Sequence, residues 1–224
     1  MTEATVSLKQ SVLAALGVAD PWEGDYQHRD FDPHGWFCRT NGWMLHKLCG
    51  PIRPEIVIEI GSWLGRSTRF LAERCKLVIA IDHWQGSAEH KDEQADRLPT
   101  LFDQFLSNCE EHKDNILPLR MSSDEAAKLP LPKADLIFID GDHSEEAVAR
   151  DIANYFPFVS ERGVMCGDDY DLRMPRGIGV ARAVHAFGAP NRLLVGANLP
   201  FWWYVPEARS DAAMHMAVAE GGEE

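Results

Sequence analysis

Two short acidic segments each follow an apolar run of the kind that forms a buried strand. DGDH occupies 140–143 after the run at 136–139, and GDDY occupies 167–170 after the run at 163–166. The ends of neighbouring parallel strands lie about 5 Å apart, so acids that follow them can converge. Clustered carboxylates repel one another unless a cation lies between them. The pattern therefore predicts a site for a hard divalent ion such as Mg²⁺, formed by Asp140, Asp168 and Asp169.

The alternative is that these acids only cap helices and that His143 is an ordinary histidine. If the site is catalytic, two neighbouring side chains are candidate bases. His143 is the better match by its reference pKa. Asp142 is the rival, with a pKa that the neighbouring acids would raise.

A glycine turn follows the first β-branched run. The run IVIEI at 56–60 is typical of a strand buried on both faces, and it stops at Gly61. Glycine permits a tight turn and lets a ligand approach the backbone, and Gly65 repeats that freedom. Ser67 or Thr68 can cap the helix that follows. Strand, turn and helix together form a frame that binds nucleotide-like cofactors, although any α/β protein with a glycine turn would look the same.

A further acid lies about 20 residues beyond the glycine turn, where an acid commonly accepts hydrogen bonds from a ribose diol. This residue is Asp82, at the end of the run 77–81. The alternative is that it caps the next helix. After the run 116–120, the segment 121–124 either contacts an adenine edge or caps a helix.

The elements that must position these residues alternate from residue 56 onward. The alternation predicts an α/β fold: a Rossmann-like, doubly wound, mainly parallel seven-stranded sheet with helices on both faces. The link 196–201 is short, so the last two strands should form an antiparallel hairpin. Strands are predicted at 56–60, 77–81, 116–120, 136–139, 163–166, 192–195 and 202–205. Helices are predicted at 67–75, 93–112, 123–129, 145–155 and 177–187.

The chain divides into three predicted regions. Residues 1–55 hold two helices, at 7–16 and about 36–48, and form either a cap over the ligand pocket or ordinary packing. Residues 56–206 form the cofactor-binding domain. Residues 207–224 form a flexible tail. The aromatic segment FWWY at 201–204 is either a homodimer surface or a buried final strand.

The composition limits the classes of binding partner and the cellular compartment that we expect. The 224 residues carry a formal net charge of -13, which argues against a protein that binds nucleic-acid phosphates. A small molecule remains compatible. The five cysteines are an odd number and include no C-x-x-C, as expected for reduced thiols of a cytoplasmic protein. We see no signal-peptide pattern and no apolar run near the ~20 residues that cross a bilayer.

Taken together, four motifs resemble the class I S-adenosylmethionine-dependent methyltransferases, and most closely the branch of macrolide-sugar and aminocoumarin-sugar O-methyltransferases. The motifs are EIGSxxGxST at 59–68, IDHWQG at 81–86, IDGDHSEE at 139–146 and GVMCGDD at 163–169. The first is common to many nucleotide folds, and its combination with the last two is specific. Trp63 and Leu64 stand where the family has small residues.

The resemblance implies a role for each matching residue. The methionine end of the cofactor lies near the glycine turn, the ribose near the acid after the second strand, and the adenine beyond it. This cofactor set comprises Glu59, Gly61, Ser62, Asp82, His83, Ser123 and Asp140. Asp140, Asp168 and Asp169 match the metal ligands of the metal-dependent members. Asp142 or His143 would lie near the acceptor hydroxyl.

The implied function is a divalent-metal-assisted O-methyltransferase that uses S-adenosylmethionine and acts on a hydroxyl of a small metabolite, a sugar or a catechol-like ring. The first alternative is a metal-independent small-molecule methyltransferase. An NAD-dependent oxidoreductase fits the first strand and Asp82, but the turn is not G-x-G-x-x-G. A non-catalytic binding protein of the same fold is the last alternative.

Overall fold

The computed structural model describes residues 6–87, 94–187, 192–195 and 200–205. Within them, the strands are β1 (Ile56–Ile60), β2 (Leu77–Asp82), β3 (Ile116–Arg120), β4 (Ala134–Ile139), β5 (Val159–Gly167), β6 (Arg192–Val195) and β7 (Trp202–Val205). They form one sheet in the order β3-β2-β1-β4-β5-β7-β6. Neighbours from β3 to β5 are parallel, and β7 is antiparallel to both β5 and β6. The predicted mainly parallel sheet with an antiparallel last pair is confirmed.

The helices are α1 (Leu8–Leu16), α2 (Arg39–Ile52), α3 (Arg66–Ala72), α4 (Leu101–Cys109), α5 (Ser123–Ala126), α6 (Glu145–Tyr155) and α7 (Pro175–Phe187). Short 3₁₀ turns lie at Pro21–Glu23, Leu98–Thr100, Glu110–His112 and Phe156–Phe158. The helix predicted at 93–112 is therefore shorter than expected, and its first residue lies outside the described part of the chain. None of the helices among the described residues is both long and apolar enough to cross a bilayer.

Helices cover both faces of the sheet, as predicted. On one face, α1, α6 and α7 pack on alternate strand residues such as Ile58 and Ile79. On the other face, α2, α3 and α4 pack on the intervening residues such as Val57 and Val78. Both faces of the central strands are thus buried, which accounts for the continuous apolar runs in the sequence.

The strand order reverses between β1 and β4, because β2 and β3 follow to one side and β5 follows to the other. In open α/β sheets, ligands bind just beyond the carboxyl ends of the strands at such a switch point. The glycine turn follows β1 and the DGDH segment follows β4, so the fold brings both to this position.

The two N-terminal helices lie on opposite faces of the sheet, and their apolar side chains belong to the two core clusters. The segment 34–38 instead lines a cavity at the switch point, described below. The N-terminal region therefore contributes both core packing and a cavity wall. Its treatment as a separate domain stays a prediction, and the predicted tail at 207–224 lies outside the described residues.

Candidate active site

The turn after β1 admits only glycine at its first position. Gly61 has φ +86°, and a Cβ built there would lie 2.1 Å from the carbonyl oxygen of Asp140. The Gly61 N–H donates to the Ile81 carbonyl at 2.9 Å, and the Asp140 N–H donates to the Ile60 carbonyl at 2.8 Å. The ends of three neighbouring strands are thereby joined by backbone contacts at the switch point.

Asp82 closes this turn from the end of β2. Its Oδ2 accepts from the N–H groups of Ser62 at 3.1 Å and Trp63 at 3.0 Å. Its Oδ1 accepts from the N–H of Trp84 at 2.6 Å. The carboxylate therefore holds the backbone of the glycine turn, a role that the ribose hypothesis did not include.

The bulky residues of the turn are accommodated by contacts on both sides. Trp63 takes a left-handed conformation, with φ +45°, and its carbonyl accepts from the indole N–H of Trp84 at 2.8 Å. Leu64 is buried in the core beside α4. Together they account for the departure from the glycine-rich family pattern.

Glu59 lies behind the turn, with 0% of its surface exposed. Its Oε2 accepts from the hydroxyls of Ser62 at 2.7 Å and Thr68 at 2.5 Å. Burial raises the pKa of Glu59 to about 7, against hydrogen bonds that lower it. The side chain ties the turn to the first turn of α3, and it lines neither of the two cavities described next.

Two cavities meet above the glycine turn, where both are lined by Gly61, Trp63, Asp140 and Gly141. The smaller has a volume of about 270 Å³ and the larger about 590 Å³. The smaller is lined by the predicted adenosine residues, Asp82, His83 and Ser123, together with Asp142. The larger is lined by Ser62, His143, Asp168, Asp169 and the N-terminal segment at 34–38. Apart from Glu59, every predicted site residue thus borders one of the two cavities.

Two of the three predicted ion ligands, Asp140 after β4 and Asp169 after β5, converge, and His143 joins them. One ligand atom from each of Asp140, His143 and Asp169 lies within 4.8 Å of the others. The Nε2 of His143 lies 2.9 Å from the Oδ2 of Asp169. Asp169 has φ +56°, a left-handed conformation that bulky residues rarely adopt.

Asp168, the third predicted ligand, lines the same cavity but lies outside this group, and it is held differently. Its Oδ2 accepts a hydrogen bond from the side-chain amide of Asn41 in α2. Its Oδ1 is buried and has no hydrogen-bond partner among the described residues. Burial and the neighbouring Asp169 raise the pKa of Asp168 to about 6. The carboxylates of Asp140 and Asp169 and the imidazole of His143 fit a divalent cation, and Asp168 lines the same cavity.

Asp142 is exposed, and its Oδ1 accepts from the N–H of Ser144 at 2.8 Å. Partial burial raises the pKa of Asp142, but the hydrogen bonds from Ser144 outweigh this effect, so its pKa lies below the usual value. The expectation that neighbouring acids raise the pKa of Asp142 is therefore wrong. The proposed alternative base is instead a turn-capping carboxylate.

Two residues that the N-terminal region brings to the larger cavity were not predicted from the sequence. These are His34 and Asn41, and the hydrogen bond from Asn41 to Asp168 spans 127 residues of the chain. No local motif marks these positions. Only the packing of α2 on the sheet brings them to the strand ends.

The family model described as methyltransferase domain matches residues 58–170, half of the chain. The chain belongs to this family, and its fold is that of the class I S-adenosylmethionine-dependent methyltransferases. The match covers the glycine turn, β2 and both acidic segments. It therefore favours a methyltransferase over the NAD-dependent oxidoreductase considered above.

Solved structures with similar folds include methyltransferases with bound cofactor. Cofactor-bound Rv0187 from MTB is 17% identical, with a TM-score of 0.60, and covers 78% of this chain and 83% of its own. The O-methyltransferase from Bacillus cereus in complex with SAH is 19% identical, with a TM-score of 0.54. The match covers 90% of this chain and 98% of that protein. TomG from Streptomyces achromogenes, an O-methyltransferase involved in tomaymycin synthesis, was solved in complex with SAM. It is 17% identical, with a TM-score of 0.56, and the match covers 78% of this chain and 82% of TomG.

A curated relative is uncharacterized protein y4gI from Sinorhizobium fredii, 28% identical over 163 residues. The match covers 67% of this chain and 17% of the relative. The chain thus spans about a sixth of that protein's length.

Proposed function

We propose that this protein is an O-methyltransferase that transfers a methyl group from S-adenosylmethionine to a hydroxyl of a small metabolite, assisted by a divalent ion. One observation carries the proposal. The two cavities meet at Gly61, and the second of them contains the cluster of Asp140, His143 and Asp169. The O-methyltransferases from Bacillus cereus and Streptomyces achromogenes, solved with SAH and SAM bound, share the fold and support this choice.

In this proposal, the smaller cavity takes the adenosine, with Asp82 at the ribose and His83 and Ser123 near the adenine. The methionine part runs along Gly61 and Ser62 into the larger cavity. Glu59 would act on the methionine end through Ser62, since it is fully buried behind that residue. The methyl group then faces the acids after β4 and β5.

His143 is the proposed base. The acceptor oxygen attacks the methyl carbon, the carbon–sulfur bond breaks, and its electron pair stays on sulfur as a neutral thioether. The hydroxyl proton passes to the imidazole, whose positive charge Asp169 stabilises at 2.9 Å. General-base catalysis typically contributes about 10²–10⁴-fold, and alignment of the reactants about 7–11 kcal/mol at best.

A divalent ion would be held by Asp140 and Asp169, which belong to the cluster with His143, and by Asp168, which lines the same cavity outside that cluster. An ion bound there lowers the pKa of an acceptor hydroxyl and helps to orient its oxygen. The metal-independent alternative is favoured by the pairing of His143 with Asp169, because a carboxylate-oriented imidazole can serve as a base by itself.

The acceptor is proposed to be a sugar or a catechol-like ring. Aromatic side chains form one wall of the larger cavity: the rings of His34 and Trp36 are 5.2 Å apart, and those of Trp36 and Trp63 are 5.6 Å apart. Trp36 is 51% exposed, so much of its surface is accessible to a ligand. Flat rings and sugar faces pack well on such side chains.

The direct test is a transfer assay with methyl-labelled S-adenosylmethionine and a panel of catechols and free or nucleotide-linked sugars. Each reaction is run with Mg²⁺ and, separately, with a strong chelator. The proposal expects label in a hydroxyl-bearing acceptor with Mg²⁺ and a large loss with chelator. Full activity in chelator would select the metal-independent alternative, and the absence of label from every hydroxyl of the panel would contradict the proposal.

The cellular setting belongs to the same proposal. All five cysteines are free thiols, which supports placement in the cytoplasm. A homodimer remains proposed, but not through the segment at 201–204. Its four aromatic side chains are at most 1% exposed within a single chain, so they form a buried final strand rather than a subunit surface.

A further inference from the structure

The side chain of Asn41 is fixed on both of its polar atoms. It lies in the first turn of α2 and is 2% exposed. Its amide nitrogen donates to Asp168, and its oxygen accepts from the thiol of Cys38 at 3.1 Å. Because the Cys38 thiol donates to the amide oxygen, the amide N–H of Asn41 is directed toward the carboxylate of Asp168.

Asn41 contacts only one of the two carboxylate oxygens of Asp168. Asp168 Oδ1 is buried without a hydrogen-bond partner among the described residues. A buried carboxylate oxygen with no partner is costly unless a cation or donor compensates it. Without a fixed donor on Oδ2, the carboxylate could rotate and offer either oxygen to the site.

We propose that Asn41 is a positioning residue, which holds Asp168 by one carboxylate oxygen and leaves the other oxygen for a divalent cation. The inference rests on the proposed metal-assisted function, and it assigns to the N-terminal region a residue of the ion site. No motif in the methyltransferase domain includes this position, which lies outside the matched residues 58–170.

The chemistry of the amide suits this role better than a charged side chain would. A lysine or arginine at position 41 would neutralise Asp168 and compete with the ion. A carboxylate would repel Asp168. A neutral amide donor orients the carboxylate and keeps its charge available. Partners that orient metal ligands in this way are typically responsible for about 10–100-fold of the metal affinity.

The test is a calorimetric titration of the full-length chain with Mn²⁺, in the presence of S-adenosylhomocysteine, on wild type and Asn41→Ala. The inference expects Asn41→Ala to weaken Mn²⁺ binding by about 10-fold or more. It expects the dissociation constant for S-adenosylmethionine to stay within about twofold. This separation of metal from cofactor affinity is what a merely structural residue would not produce.

Asn108→Ala is the matched control. Asn108 is equally buried, and its amide joins the N-terminal region to the domain by donating to the carbonyls of Asp32 at 2.9 Å and Leu64 at 2.8 Å. None of the hydrogen bonds of Asn108 within the described residues involves Asp140, Asp168 or Asp169. Its loss should lower the melting temperature and leave the Mn²⁺ affinity unchanged.

Three outcomes would overturn the inference. Unchanged Mn²⁺ affinity in Asn41→Ala would overturn it and leave the proposed function intact. Equal loss of Mn²⁺ affinity in Asn108→Ala would show a general effect of destabilisation. No Mn²⁺ binding by wild type would remove both the inference and the metal-assisted part of the proposal. If Asn41→Ala does not fold, Asn41→Ser decides by the same criterion, since its hydroxyl is too short to reach Asp168.

Discussion

His143 is the residue on which the proposed chemistry turns. Asp169 lies 2.9 Å from its ring nitrogen, whereas the rival Asp142 is engaged with Ser144 and has a lowered pKa. We expect His143→Ala to lower kcat by about 10²–10⁴-fold, because the acceptor proton loses its base. We expect Asp142→Ala to retain most of the activity. Steady-state kinetics on the two variants provides the comparison.

The same variants distinguish a base from a metal ligand. A base can be removed with little effect on Mn²⁺ affinity, so His143→Ala should bind Mn²⁺ nearly as tightly as wild type. If turnover survives in His143→Ala and is abolished in Asp142→Ala, the two roles must be exchanged. Loss of Mn²⁺ binding in His143→Ala would place the imidazole among the ligands.

Gly61 yields a second prediction at the scale of one residue. Its left-handed conformation costs any other residue roughly 1–3 kcal/mol, and a Cβ would collide with the backbone of Asp140. Gly61→Ala should therefore lower the free energy of unfolding by at least this amount, as measured in urea. The control is Gly50→Ala in α2, where no atom lies within 4 Å of the added Cβ. That change should stabilise by about 0.5–1 kcal/mol; equal losses in both variants would contradict the argument.

The sequence allowed us to predict the site residues that directly follow a strand, because the strand order determines where they lie. Asp140 and Asp169, two of the three predicted ion ligands, meet because β4 and β5 are neighbouring parallel strands. The third, Asp168, lies outside the group that they form with His143. Asn41 was not predictable, because its position depends on how α2 packs on the sheet. The pKa of Asp142 was predicted in the wrong direction, since the local turn that lowers it has no signature beyond a serine two residues later.

At the scale of elements, β2 supports the glycine turn through the carboxylate of Asp82. The carboxylate of Asp82 accepts hydrogen bonds from the backbone N–H groups of Ser62, Trp63 and Trp84. Asp82→Asn keeps one acceptor oxygen but removes the negative charge that strengthens these bonds. Hydrogen bonds to a charged group contribute about 1.5–3 kcal/mol, so S-adenosylmethionine affinity should fall about tenfold or more. Calorimetry with purified variants measures this change.

Asp135→Asn is the control for this prediction. Asp135 accepts from the N–H groups of Glu55 at 2.9 Å and Ile56 at 3.3 Å, at the opposite end of β1. Its loss should affect stability without changing cofactor affinity. If both variants bind S-adenosylmethionine as wild type does, the carboxylate of Asp82 does not hold the turn in its binding conformation.

Element boundaries show where sequence patterns stop being informative. β1 spans Ile56–Ile60 as predicted, because an uninterrupted apolar run ends at a glycine. The helix expected at 93–112 is regular only over Leu101–Cys109, since Pro99 confines the preceding turn to a 3₁₀ helix. β5 begins at Val159 rather than 163, with exposed residues at Glu161 and Arg162 that apolar patterning does not reveal.

At the scale of the whole molecule, stability should depend on pH through Glu59. Its ordinary pKa is 4.5, and burial in the folded protein raises it to about 7. Between these values the folded protein keeps a proton that the unfolded chain releases. The free energy of unfolding therefore falls as pH rises from 4.5 through 7, by on the order of 3 kcal/mol for this group.

Urea unfolding of wild type and Glu59→Gln at pH 5 and pH 8 isolates this contribution. Asp151 and Asp168 also have raised pKa values, of about 6, and act in the same direction in both proteins. The variant should lose less stability between the two pH values than wild type does. Parallel pH dependence in the two proteins would show that Glu59 does not keep its proton in the folded state.

The account as a whole depends on a cofactor that lies across the switch point between β1 and β4. Calorimetric titration of the chain with S-adenosylmethionine and with NAD, each in the presence and absence of Mg²⁺, tests this most directly. We predict saturable binding of one S-adenosylmethionine per chain and no saturable heat with NAD. Saturable binding of NAD without binding of S-adenosylmethionine would contradict the account.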